Sequence, residues 1–309
     1  MKIIFFGSSE FAVPVLEALK AEEGILLVVT QPDRKKGRAL KVSPTPVKLV
    51  ADKLGIEVFQ PAGVNAPDSV GYLKKFDADM FVVVSFGQIL SGELLSLPRL
   101  YALNVHASLL PKYRGASPIN RAIAKGEKET GVTIIKMNEK MDEGDIAQKV
   151  PVAIESSDDA IMLSRKLAEK GALLLLKAID LIKSKKIEFT AQDNNLATYA
   201  PKLKKEDGLI NWALSAVEIN NMVRAFVPWP GCFTHWDKKV IKVWKVKPVK
   251  DVSSSGAKPG SIAEAGKAGI IVNTGKGAIA IEELQPEGKR RMKVEEFMAG
   301  HKSLPLFLT

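Results

Sequence analysis

The chain has 309 residues, 46% of them apolar and 26% charged, which is the balance of an ordinary soluble globular protein with one large or two medium domains. The net charge of +10 favours a polyanionic partner, nucleic acid or an anionic membrane surface, with a lysine-rich solvated surface as the plain alternative. A single cysteine, Cys232, excludes an intrachain disulfide and a thiolate zinc site, and three histidines far apart in sequence (His106, His235, His301) argue against a metal enzyme.

The opening "MKIIFFGSSE" carries an apolar run of only four residues between Lys2 and Gly7, too short for the core of a signal peptide. No apolar run approaches the length of a membrane span. The expectation is a soluble, cytoplasmic monomer without a membrane partner.

Short apolar runs then alternate with amphipathic stretches. "KIIFFG" (2–7), "ILLVVT" (25–30), "IEVFQ" (56–60), "DMFVVVSFG" (79–87) and "LYALNVHAS" (100–108) read as strands. They are nearly continuous in β-branched and aromatic residues, as strands covered on both faces are. Helical patterns follow the first two, over 10–23 and 45–55; the second has Pro46 early and Gly55 as a stop. A further helix over 115–126, strands over 130–137 and 145–154, and a long helix near 158–184 complete the first part. This order predicts an α/β fold: a Rossmann-like, doubly wound, mostly parallel sheet over residues 1–184.

Periodicity is then lost. Residues 185–203 read as a linker, and 204–309 as a separate domain. That domain opens with a helix over 215–226. Short alternating strands follow ("CFTHW", "KVIKVWKV", "GSIAEA", "GIIVNTG", "AIAIEELQP"), which predict a small, OB-like β-barrel. The stretch 253–260 is a loop.

The turn after the first strand, "FFGSSEFA", has only Gly7, so the dinucleotide fingerprint G-x-G-x-x-G is absent. The unusual stretch is "LNVHASLLPKYRGASPINRA" (103–122). Asn104, His106 and Ser108 alternate along a strand and share one face. In open α/β sheets ligands bind beyond the carboxyl ends of strands. An amide donor beside an imidazole can hold a developing oxyanion and handle a proton. On residue types alone, a polar strand end capped by its loop fits as well. "KMNEKMDEGDIAQ" (136–148) offers carboxylates, Asp142 among them, that can reach the same pocket or form a solvated turn. "DRKKGR" (33–38) and "GKRRMK" (288–293) are the dense basic clusters. Residues 204–309 hold 17 Lys and Arg against 11 Asp and Glu, so most of the excess charge lies in a third of the chain.

These residues carry a resemblance. "NVHASLLPKYRGASPINRAI", with Asp142 placed 36 residues beyond His106 in "ETGVTIIKMNEKMDEGDIA", resembles the catalytic signature of the folate-dependent formyltransferases. The opening "MKIIFFGSSEFAVPVLEAL", the loop "TQPDRKKGRALK", "YAPKLKKEDGLINW" and "RAFVPWPG" extend the likeness over essentially the whole chain. Phe86 stands where the family often has Tyr, and Ser91 where Pro is common.

The resemblance implies 10-formyltetrahydrofolate as formyl donor, no metal, and the α-amine of methionine on initiator tRNA as acceptor. It implies Asn104 as oxyanion donor, with His106 and Asp142 managing the amine proton. It implies a folate slot of Phe86, Gly87, Gln88, Ile89 and Leu90 with Ser108, Leu109, Leu110 and Pro111. It implies tRNA contacts at Arg34, Lys35, Lys36 and Arg38, and in the basic second domain at Lys289, Arg290 and Arg291. A small amine acceptor, such as a glycinamide nucleotide or an amino sugar, is the alternative that needs the same trio but neither the basic loop nor the basic domain.

Overall fold

The computed structural model describes residues 1–36, 41–237, 239–249, 257–266, 269–300 and 307–309, with only the backbone described at 35, 36 and 41. The chain forms two compact units. Residues 1–118, 129–153 and 164–200 make the first, and 119–128, 154–163 and 201–309 the second.

The first unit is built on seven strands: β1 (Lys2–Gly7), β2 (Gly24–Val29), β5 (Val58–Phe59), β6 (Met80–Val84), β7 (Tyr101–His106), β8 (Glu129–Lys136) and β9 (Asp145–Ala153). Their spatial order is β5-β2-β1-β6-β7-β8-β9. The first five are mutually parallel, and β8 and β9 are added antiparallel. The predicted apolar runs are the central strands, and β1 and β6 are buried almost throughout. One face carries a core of Ile4, Phe6, Leu27, Val29, Phe81 and Val83, into which Phe86, Leu90 and Leu94 also pack. Each such side chain contributes about 1.5–3 kcal/mol by leaving water. Chain order moves outward from β1 to β2 and β5 on one side, and to β6 and β7 on the other. The crevice at this switch is where an open sheet presents a ligand site.

Helices α1 (Val13–Glu22), α2 (Pro46–Lys53) and α6 (Ala160–Lys183) follow the predicted patterns. Thr45 caps α2 by accepting from the Lys48 amide at 3.1 Å, and Pro46 occupies the first turn. The predicted helix 115–126 is shorter, α5 (Pro118–Ala124). Two helices escape the periodicity: α3 (Pro67–Lys74) and α4 (Gly92–Leu95). They are one to two turns long, too short for a repeat to emerge from single residues. The expected basic loop at 33–38 instead begins a hairpin apart from the main sheet, β3 (Arg34–Lys36) with β4 (Lys41–Ser43).

The segment predicted as a linker, 185–203, is not a free tether. Up to residue 200 it packs with the first unit, where Thr190 bridges Ile146 and Tyr199 bridges Arg114.

In the second unit, α7 (Ala216–Ala225) is started by a capping box in which Ser215 and Glu218 satisfy each other's amides. Hydrogen bonds to Ser215 hold the Glu218 carboxylate below its usual range. Arg224 of α7 donates to the carbonyls of Glu155 and Asp158, which anchors residues 154–163 in this unit. The strands are β10 (Cys232–Trp236), β11 (Lys239–Val249), β12 (Ile262–Gly266), β13 (Gly269–Asn273), β14 (Ala278–Pro286) and β15 (Met292–Lys293), followed by α8 (Val294–Ala299). The antiparallel order is β10-β11-β14-β13-β12, with β15 beside β14. The last residues close the ring: Phe307 bridges Ser261, Leu308 donates to Gly260, and Thr309 exchanges backbone hydrogen bonds with His235.

Cys232 lies inside β10 with 1% exposure, and burial pushes its thiol up to about 12. The native protein at pH 8 is therefore expected to be silent to an alkylating reagent and to label fully after denaturation. Prompt labelling of the native protein would contradict this packing.

Candidate active site

Asn104 and His106 sit at the carboxyl end of β7, two residues apart and so on one face. Asp142 comes from the loop between β8 and β9. Because β8 is antiparallel to β7, that loop departs at the level of Ala102 and Leu103, where the Met137 amide donates to the Ala102 carbonyl. It must fold back along β7 to reach the strand's end. Gly144 closes its root: a Cβ there would lie 1.9 Å from the Lys136 carbonyl oxygen.

The three side chains meet. Asp142 Oδ1 accepts from Asn104 Nδ2 at 3.3 Å and lies 3.4 Å from His106 Nδ1. Asp142 Oδ2 accepts from the Gly115 amide at 2.8 Å. Gly115 has φ +118 and passes close to the Ala200 carbonyl, so a side chain is excluded there on both counts. His106 Nε2 lies 3.0 Å from the Tyr113 carbonyl. A carbonyl only accepts, so Nε2 carries a hydrogen in this arrangement. Nδ1 then faces the carboxylate, and a proton arriving at Nδ1 bridges the pair. Asn104 spends one N–H on Asp142 and keeps the other for a ligand.

Backbone strain gathers here. Ser85, Tyr113 and Asp142 all have left-handed φ (47°, 61° and 56°). Such residues are uncommon and persist where the surroundings over-determine them, often at sites.

The trio opens into a cleft of about 450 Å³, within the range of small-ligand sites. Phe11, Val83, residues 85–90, Val105, Ala107, residues 115 and 116, Pro118 and residues 137–141 line the rest of it. Phe86 and Leu90 form part of its wall while packing into the core, and Ile89 is exposed at the rim. Gln88 turns its side chain away, and its Oε1 accepts from the Val64 amide. Asn65, which the sequence does not single out, clips this loop by donating to the Ile89 carbonyl and accepting from the Ser91 amide.

Ser108, Leu109, Leu110 and Pro111 are not among the residues lining this cleft, which reaches only as far as the adjacent Ala107. After His106 the chain turns inward. Ser108 is fully buried and donates to the Lys112 carbonyl, Thr133 donates to the Ser108 carbonyl, and Leu110 is core. The Leu110 amide also donates to Thr133, and the Pro111 carbonyl accepts from the Thr198 amide.

Of the basic residues, Arg34 is exposed on the β3–β4 hairpin and donates to Gln31. The side chains of Lys35 and Lys36, and all of Arg38, lie outside the described residues. Lys289 is exposed. Arg290 pairs with Glu296, and Arg291 pairs with Glu283 at 2.6 Å while stacking 5.1 Å from the Trp244 ring centre. Lys242 covers the same ring at 5.7 Å. The second unit thus presents a cationic, aromatic patch that the basic cluster alone did not reveal. Among the described residues no cluster of His, Cys, Asp and Glu can hold a metal, and no helix is long and apolar enough to cross a membrane.

Residues 1–179 match the family described as formyl transferase, and residues 202–302 match the formyl transferase C-terminal domain. A methionyl-tRNA formyltransferase of Geobacter metallireducens is 45% identical over 301 residues, covering 97% of this chain and 96% of that protein. The protein of the same name from Caldanaerobacter subterraneus subsp. tengcongensis is 45% identical over 304 residues, with 97% of each chain covered. The fold is also that of an N-formyltransferase from Helicobacter canadensis, solved with folinic acid and dTDP-3-aminofucose. Here the TM-score is 0.68 at 21% identity, over 93% of this chain and 99% of that one.

Proposed function

The chain belongs to the formyl transferase family, among the methionyl-tRNA formyltransferases, and on that premise we propose how its cleft performs the reaction. It transfers a formyl group from 10-formyltetrahydrofolate to the α-amine of methionine on initiator tRNA. The observation that carries the residue roles is the convergence of Asn104, His106 and Asp142 on one cleft.

The neutral amine attacks the formyl carbon and an oxyanion develops. The free N–H of Asn104 stabilises it, as a fixed donor aimed at developing negative charge does. The nitrogen must shed a proton as it becomes an amide. Nδ1 of His106 takes it, and Asp142 steadies the resulting charge; the oxyanion then collapses, the bond between the formyl carbon and N10 of the folate breaks, and the departing nitrogen receives the proton. The Gly115 amide and the Tyr113 carbonyl hold the carboxylate and the imidazole in register. Phe86 and Leu90 wall the folate slot, with Ile89 at its rim and the backbone at 85–90 supplying its polar edge. Arg34, Lys289, Arg290 and Arg291 serve the tRNA phosphates, and the Trp244 patch offers a stacking surface. One chain supplies the whole trio, so a monomer suffices.

The deciding assay offers the purified protein 10-formyltetrahydrofolate with methionyl-tRNA, and separately with a nucleotide-linked amino sugar. Formyl-methionine is expected from the first mixture and no product from the second. His106→Ala is expected to lower kcat by about 10²–10⁴. Formylation of the sugar alone, or full activity of the variant, would overturn the reading.

A further inference from the structure

Gln192 lies in the middle of the segment that the sequence marks as a linker. Its carboxamide makes four hydrogen bonds. Nε2 donates to the backbone carbonyls of Asp142 at 2.8 Å and Gly144 at 2.7 Å. Oε1 accepts from Arg114 Nε at 3.1 Å and Nη2 at 2.8 Å. An amide has two donors and two lone pairs, so its capacity is used in full. Flipping it would set N–H against the guanidinium and oxygen against two carbonyls, so its partners fix its orientation.

Arg114 is 2% exposed. Besides Gln192 it donates to Asn194 Oδ1 at 2.8 Å and lies 3.4 Å from Glu143 Oε1. A buried guanidinium is costly unless well paired, so it needs a reason to be there. Neither Arg114 nor Gln192 lines the cleft. Their shared target is the loop at Asp142, Glu143 and Gly144. Asp142 itself has a left-handed φ of 56°, a conformation uncommon outside glycine though more accessible to Asp than to most residues.

We propose that Gln192, held by Arg114, is a positioning residue that clamps the Asp142 loop and sets its carboxylate against His106 and Asn104. This rests on the formyl-transfer reading above. The so-called linker is then part of the active-site frame.

The decisive variant is Gln192→Glu. It keeps an oxygen for Arg114 and makes an ion pair with it, which preserves folding. It also removes both donors to the loop and turns an oxygen toward two carbonyls. Steady-state kinetics with 10-formyltetrahydrofolate and methionyl-tRNA are expected to show kcat lowered about 30- to 100-fold, as misplacement of a reacting group gives. KM for each substrate is expected to stay within about twofold, because Gln192 does not line the cleft. Gln192→Ala, which adds no charge, is expected to act in the same direction. The test of mechanism is the cycle with Asp142→Ala: in that background each Gln192 variant is expected to cost less than about threefold more. The proposal falls if both variants keep native kcat, if the loss lies in KM alone, or if the full loss persists without Asp142. A native protein that formylates nothing would instead sink the functional reading, so the two failures are distinguishable.

Discussion

Alanine at Asn104 is expected to lower kcat by about 10²–10³, with KM for both substrates within about threefold of native. The size follows from what the side chain does at each stage. In the resting protein it makes one 3.3 Å hydrogen bond to Asp142, and losing such a bond costs about 1 kcal/mol of stability. In the transition state its second N–H meets an oxyanion, and loss of one such donor costs about 3 kcal/mol. The catalytic loss therefore dominates, and the variant should fold. The ground-state formyl oxygen draws little on the donor, so binding is spared. Asn104→Asp is nearly isosteric and is expected to be worse than alanine. It places a second carboxylate beside Asp142 and a negative oxygen where negative charge must develop. Thermal melts and steady-state kinetics check both. An Asn104→Ala protein with kcat within threefold of native would remove Asn104 from the mechanism.

A methyl group at Gly144 is expected to cost at least about 10² in kcat while leaving the second unit intact. The added Cβ would meet the Lys136 carbonyl oxygen at 1.9 Å, its carbon at 2.9 Å and Met137 Cα at 3.3 Å. These are backbone atoms at the root of the β8–β9 hairpin, so no flexible side chain can step aside. Either the root opens or the loop lifts. Both displace Asp142, whose carboxylate works over hydrogen-bond distances, and a shift of about 1 Å is enough for a 10²-fold loss. Overpacking of this kind costs about 1–3 kcal/mol, a drop of several degrees in Tm. Gly71→Ala in α3 is the control, because a Cβ there meets nothing within 4 Å. It should leave kcat unchanged. Native kcat in Gly144→Ala would mean that the loop tolerates displacement and that the placement of Asp142 is not critical.

The sequence by itself determined the central strands, because a strand covered on both faces is apolar nearly without interruption, as the runs in β1, β2 and β6 are, while β7 breaks its run only at Asn104 and His106. It also determined that Asn104 and His106 share a face, since the strand period is two. The starts of α2 and α7 were legible because a cap is settled within four residues. Only the tertiary structure decided the return of the 137–144 loop, the inward turn of Ser108 to Pro111, the closing of the barrel by residues 307–309 and the clamp by Gln192. The resemblance pointed to Asp142, but the residues that hold it did not announce themselves. The physical reason is sequence separation. Asn104 and Asp142 are 38 residues apart, Asp142 and Gln192 are 50, and Arg114 and Gln192 are 78. Each contact must offset the entropy of closing its loop, and it does so only in company with the rest of the packed unit. Periodicity and capping belong to one segment and can be read from it. A clamp belongs to three segments at once and exists only after they have met.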